Sequence, residues 1–219
     1  MHAFLDRERW NIDAERSSLT FSVSHAVWGQ IRGRFHCWGG HIIVDPRAQS
    51  QASVHVWVDL SSVDTGSATR NKVILNTDPF DMGWEPGLVF DGDRLDKRDD
   101  GQVILTGWLD LRAFRQEISI AVDTISPPRV GEETADIVAT ARASIDRRAF
   151  GMRGERRVSD WLSEKLVGNT IEMTAQIVAK LAADVPLATQ PRRAAINPPT
   201  RLGFARPVAA ISAARTPAA

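Results

Sequence analysis

Ser18-Leu19-Thr20-Phe21-Ser22-Val23-Ser24-His25 is followed by Gly29-Gln30-Ile31-Arg32-Gly33-Arg34-Phe35, and then by Gly39-Gly40-His41-Ile42-Ile43-Val44-Asp45. In the first run Leu19, Phe21, Val23 and His25 share one face of an extended strand. Ser18, Thr20, Ser22 and Ser24 share the other. Period-two alternation marks a strand with one buried and one wet face. The buried face ends on a histidine, and glycines let the chain turn directly into the next strand. These residues predict a β-barrel or sandwich around a closed apolar interior.

Working outward, the same period recurs. Residues 52–60 set Val54, Val56 and Val58 against Ser53, His55, Trp57 and Asp59. Strand signals return at Gly87–Asp91, and again where Val103, Leu105, Gly107, Leu109 and Leu111 alternate with Ile104, Thr106, Trp108 and Asp110. Ile118, Ile120 and Val122 continue the pattern. So do Ile137, Ala139, Ala141, Ala143 and Ile145, and finally Ile171, Met173, Ala175, Ile177, Ala179 and Leu181. Ser61–Thr77 breaks it and reads as one short helix, with Thr65 and Ser67 as candidate caps and Pro79 beyond its end. About eight to ten antiparallel strands with one helix suit a lipocalin-like barrel, because closure removes exposed edges and about eight strands leave room for one small ligand. The small inward residues Ala139, Ala141 and Ala143 argue for unfilled space.

The chain has 219 residues, 27 basic and 27 acidic, so nothing global favours nucleic acid or an anionic surface. Cys37 is the single cysteine, which excludes an internal disulfide. The first residues hold no apolar run of signal-peptide length, and no segment has the length of a membrane span, so a cytoplasmic location is expected. Residues 184–219 contain six of the eleven prolines and five arginines against the single carboxylate of Asp184. This predicts a disordered tail of charge +4 after a body, residues 1–183, of charge −4. Its alternatives are an inert tail and a weak electrostatic tether.

Catalytic and metal constellations do not assemble from the sequence. His25, His36, Cys37, His41 and His55 lie close in sequence, but His25 shares the apolar face, whereas His36 and His55 take the opposite phase and Cys37 could at most join His25, so they do not converge as a tetrahedral metal site requires. No Gly-x-Ser-x-Gly nucleophile elbow occurs. Cys37, in phase with Phe35, reads as a small buried thiol. Arg147 reads as an anchor donating to backbone carbonyls near the Gly151 and Gly154 turns. The seven tryptophans read as core or strand-end packing, with a ligand wall as the alternative for Trp28, Trp38, Trp57, Trp84 and Trp108.

Trp10-Asn11-Ile12-Asp13, the Ser17–His25 strand, Gly33-Arg34-Phe35, Ser62-Val63-Asp64-Thr65-Gly66 with Arg70, and Ile145-Asp146-Arg147-Arg148-Ala149-Phe150-Gly151-Met152 occur in that order. Together they resemble the YceI-like family of bacterial polyisoprenoid-binding proteins. Arg70-Asn71-Lys72-Val73-Ile74-Leu75 departs from the family's Arg-Asp-x-His-Leu. The resemblance implies an all-β lipocalin-like barrel that binds, stores or carries a long isoprenoid lipid, such as a quinone, without catalysis and without a cofactor. It also implies membrane contact that is at most transient, and members that are often homodimers. Strand phase then puts Leu19, Phe21, Val23, Phe35, Val54, Val56, Leu105, Leu109, Ile118, Ile120, Ala141 and Met173 on the cavity wall, and His25 toward its polar end. Two other readings stand beside this: a small enzyme using His25 as acid and base, and a ligand-free scaffold acting through its tail.

Overall fold

The computed structural model describes residues 7–45, 52–75, 87–111, 114–126, 136–151 and 167–182. The strands are β1 (Glu8–Ile12), β2 (Ser18–His25), β3 (Gly29–Phe35), β4 (Trp38–Val44), β5 (Ala52–Val58), β6 (Val63–Asp64), β7 (Leu88–Lys97), β8 (Val103–Leu111), β9 (Phe114–Ser126), β10 (Ile137–Asp146) and β11 (Val167–Leu181). Among the described residues there is one α-helix, α1 (Ala68–Leu75), between β6 and β7. Eight strands close an antiparallel barrel in the order β1-β4-β5-β7-β8-β9-β10-β11, with β11 returning to β1.

β11 closes the barrel by serving two partners along one edge. Its first part, from Val167 to Gln176, pairs with β2. Its last residues, Ala179–Leu181, pair with β1. β2 then carries β3 and β6. The β2–β3 hairpin is therefore a flap of sheet running on from the barrel wall.

The expected alternation decides which side chains go inside. Trp10, Leu19, Phe35, Trp38, Phe90, Leu105, Leu109, Ala139, Ile145 and Ile177 belong to one buried cluster. Val58, Leu60, Leu111 and Phe150 are buried completely. These four lie where β5 and β8 end and in the 3-10 turns that follow β5 and β10, so that end of the barrel is packed shut.

Two local expectations are corrected. Residues 61–67 are not part of the α-helix: a 3-10 turn, Leu60–Ser62, leads into β6, where Val63 pairs with Phe35. Gly66 then adopts φ 71°, a conformation that a helix cannot continue through. Of the two proposed caps, Ser67 is the one in place, its Oγ accepting the Arg70 N–H at 3.4 Å. Thr65 is tied to Asn71 instead, whose Oδ1 accepts the Thr65 N–H at 2.9 Å and its hydroxyl at 2.7 Å. Cys37 is exposed, not buried. The chain bends between β3 and β4, and Trp38 takes the next inward position. The proposed tail, residues 184–219, lies outside the described residues.

Candidate ligand cavity

Inside the barrel is a cavity of about 110 Å³. Its wall comes from most of the way round the barrel: Leu19 on β2, Trp38 on β4, Val54, Val56 and Val58 on β5, Leu88 and Phe90 on β7, Leu105 and Leu109 on β8, Ile118 and Ile120 on β9, Ala141, Ala143 and Ile145 on β10, and Met173, Ala175 and Ile177 on β11. Each of these sits at the inward phase of its strand. The space exists because small side chains sit at mid-height on β10 and β11, where Ala141 pairs with Ala175 and Ala143 faces the longer Met173.

Among the described residues of the cavity wall, Arg142 is the one that carries a charge. Its guanidinium lies on the outer face, where Nε is 3.2 Å from Asp123 Oδ2. Asp123 is the residue skipped by the bulge that shifts register between Thr140 and Ala141. The described wall therefore offers a ligand dispersion and exclusion of water, and among the described residues no charge is turned inward. An apolar void of this kind stays dry, and one of about 150 Å³ accepts a benzene-sized group.

Nine of the thirteen residues expected to contact ligand are on this wall: Leu19, Val54, Val56, Leu105, Leu109, Ile118, Ile120, Ala141 and Met173. Phe21, Val23, His25 and Phe35 are not. All four have the inward phase, but they belong to the β2–β3 flap. There Phe21 packs on Phe35 with ring centroids 5.4 Å apart, and Val23 pairs with Ile31. His25, 3% exposed, uses Nδ1 to accept the backbone N–H groups of Val27 and Trp28, both at 3.2 Å. That bonding organises the β2–β3 turn.

Six wall residues sat in the strand patterns without being singled out, Val58, Leu88, Phe90, Ile145, Ala175 and Ile177, while Ala143 is one of the small inward residues read as leaving space. Their phase was available in the sequence. Of the tryptophans, Trp38 reaches the cavity. Trp28 and Trp108 are exposed, and Trp57 lies over Gly39. Trp84 is outside the described residues.

Arg147, also buried, is an anchor on backbone carbonyls as expected, and the described ones belong to β11; Gly154 lies outside the described residues. The guanidinium donates from Nε to Gly168 O at 2.8 Å and from Nη2 to Val167 O at 3.1 Å, fixing the start of β11. Among the described residues no cluster of His, Cys, Asp and Glu has metal-binding geometry. No described helix is long and apolar enough to cross a membrane.

A closed antiparallel barrel with an apolar hollow defines the lipocalin-like class of architecture. Residues 10–179 match the YceI-like domain, and the chain belongs to that family. It is 29% identical over 131 residues to a UPF0312 protein of Vibrio parahaemolyticus, covering 59% of this chain and 69% of that one. A UPF0312 protein of Vibrio cholerae is 30% identical over 139 residues, covering 63% and 72%. Among solved structures, Burkholderia cenocepacia BcnA superposes with a TM-score of 0.62 at 18% identity, over 76% of this chain and 98% of that one. A polyisoprenoid binding domain from Saccharophagus degradans gives 0.56 at 14% identity, over 79% and 98%.

Proposed function

We propose that this protein binds a long apolar lipid of the isoprenoid class, a polyisoprenoid quinone being one such ligand, and stores or carries it in the cytoplasm without transforming it. The observation that carries the reading is the cavity itself, walled by aliphatic and aromatic side chains with its one arginine head group turned outward. The polyisoprenoid binding domain among the structural neighbours supports the ligand class.

Each buried methylene contributes roughly 0.8 kcal/mol, so one five-carbon unit contributes about 3–4 kcal/mol before ordering costs. A cavity of about 110 Å³ holds a group of that order and not a whole prenyl chain. A longer tail must part the wall, and the small pairs of β10 and β11 offer least resistance. Affinity should therefore rise with the first units and flatten quickly.

Native mass spectrometry of the purified full-length protein tests this. The expected result is a stoichiometric apolar adduct in wild type and its loss in Ala141→Leu, with the melting temperature held. Adduct-free wild type that also fails to take up added prenyl lipid would overturn the reading. Chemical conversion of the bound lipid would replace it with the enzymatic one.

A further inference from the structure

A hollow is a standing cost to a fold, because unfilled volume forfeits contacts that larger side chains would make. This one is kept open at mid-height by Ala141, Ala143 and Ala175. Its wall is also stiff. Valines and isoleucines of β5, β9, β10 and β11 supply seven of the described lining side chains, and a β-branched side chain has little choice of rotamer. The strands that carry them are tied into ladders, and β10 and β11 alone share ten register pairs from Ile137 to Asp146. Met173 is the adaptable member of the wall. It is half-buried and unbranched, with Ala143 across one ladder and Phe21 across the other, and methionine is the side chain that follows irregular space most readily.

Size, stiffness and polarity together choose a guest. At about 110 Å³ the hollow is a little smaller than a void of about 150 Å³ that accepts benzene. With Met173 giving way, a guest of about five to seven carbons fills it. A stiff wall rewards a guest that already has its bound shape. A ring has few torsions to freeze, whereas an open chain of the same carbon count must surrender several on entry. The described lining is carbon and thioether sulfur over nearly all of its surface, and the Arg142 guanidinium is engaged outside with Asp123. A hydroxyl or carboxylate on the guest would leave water for a surface that offers it little.

We infer that the hollow is a site for one compact neutral hydrocarbon, a monocyclic arene or alkene of about five to seven carbons, with Met173 setting the largest ring admitted. Its use is capture of a small, sparingly soluble molecule that water disfavours and a dry apolar wall does not. The inference takes the hollow from the lipid-carrying reading but not the long ligand. A compact guest and a prenyl end group would compete for the same space, and either reading can fail alone.

The test is isothermal titration calorimetry of the full-length protein with benzene, phenol, cyclohexane and 1-hexene. Cyclohexane should bind about fivefold or more tightly than 1-hexene, which has the same formula in an open chain. Benzene should bind about tenfold or more tightly than phenol, whose hydroxyl loses its water. Ala141→Leu should abolish uptake of all four. Met173→Ala, which widens the hollow and leaves the ladders in place, should move the preferred guest from benzene to p-xylene, and this gain keeps the test decisive where the leucine variant fails to fold. Wild type without saturable one-to-one binding of benzene or cyclohexane overturns the inference. So does 1-hexene binding equal to cyclohexane, phenol binding equal to benzene, or a guest preference that Met173→Ala leaves unmoved. Native mass spectra of the same preparations separate the two readings: a prenyl adduct without benzene uptake spares the lipid-carrying reading alone, and benzene uptake without any prenyl adduct spares this one.

Discussion

The rings of His41 and His55 face each other across β4 and β5 with centroids 5.3 Å apart, on the outer surface of the barrel. On one side Arg9 Nη2 donates to His41 Nδ1 at 3.3 Å. On the other His55 Nδ1 donates to Asp91 Oδ1 at 2.7 Å. The row thus runs over four strands from the cation of Arg9 through two imidazoles to the carboxylate of Asp91, with His41 next to the cationic end. Partial burial, then Arg9, then His55 hold the His41 imidazolium below its ordinary 6.5, while Asp91 acts weakly the other way. The unfolded chain consequently takes up this proton first, and stability should fall as pH drops below 6.5 toward the folded value. His41→Gln, which retains an acceptor for Arg9 and cannot titrate, should lose less stability over that window. Urea unfolding at a series of pH values checks it. Parallel pH profiles for the two proteins would contradict it.

Asp64 should act at the acid end. Its carboxylate accepts the Gly66 N–H at 2.8 Å, lies 3.3 Å from His36 and 3.4 Å from the Asn71 amide, and has Arg34 at 3.6 Å. With the Gly66 bond leading, these lower its pKa from 3.8 to about 2. A depressed carboxyl value contributes stability that is complete above 3.8 and is lost as pH falls through about 2. Asp64→Asn should therefore flatten the acid limb of a circular-dichroism titration in this interval. An acid limb identical to that of wild type would refute the assignment.

Two glycines should fail differently. A Cβ on Gly33 would run into the Phe21 ring, the far end of a side chain, whereas one on Gly107 would run into the Asp91 carbonyl and the Gly92 Cα. Rings yield and paired backbone does not. Gly33→Ala should cost about 1–3 kcal/mol, the usual range for overpacking, with Phe21→Leu recovering part of it. Gly107→Ala should cost more and be rescued by no side-chain truncation. Chemical denaturation of the two single mutants and the Gly33→Ala/Phe21→Leu pair ranks them.

Arg147→Lys is predicted to loosen β11. One ammonium cannot reproduce the forked reach of Nε and Nη2 to Gly168 O and Val167 O. A buried carbonyl left without its donor costs about 1–3 kcal/mol. Hydrogen exchange should quicken first at the start of β11 and in β2 paired to it, while β5 and β7 stay protected. Uniformly faster exchange would show that the side chain supports the whole barrel and not this junction.

Strand phase was legible in the sequence because each inward residue from Val54 to Ile177 obeys one period, and a barrel makes all inward faces converge. Height along the barrel was not legible. Phe21, Val23, His25 and Phe35 have the same phase as Leu19, yet only Leu19 reaches the hollow: Phe35 sits one strand further out on β3, Phe21 packs on its ring, and Val23 and His25 lie further along β2 toward the turn. His25 shows the second limit. It ends an apolar run, which fits a cavity mouth, but its acceptor is used two and three residues further on, in a turn whose hydrogen bonding has no periodic signature. The same holds for Asn71, whose local bond to Thr65 displaces the expected first turn of the helix.

The shared edge of β11 also governs when the protein can exist at all. Val178 donates its N–H to Ser17 Oγ, 161 positions earlier, and the β1 and β2 registers are both written on the last of the described strands to be synthesised. Until then β1, β2 and β10 expose unpaired edges, and loop-closure entropy works against the ring. The nascent chain should thus collect as an open, sticky ribbon that snaps shut in one late step. A stalled chain ending before Val167 would be a substrate for chaperones and proteases, and release of the last strand would set the pace of maturation.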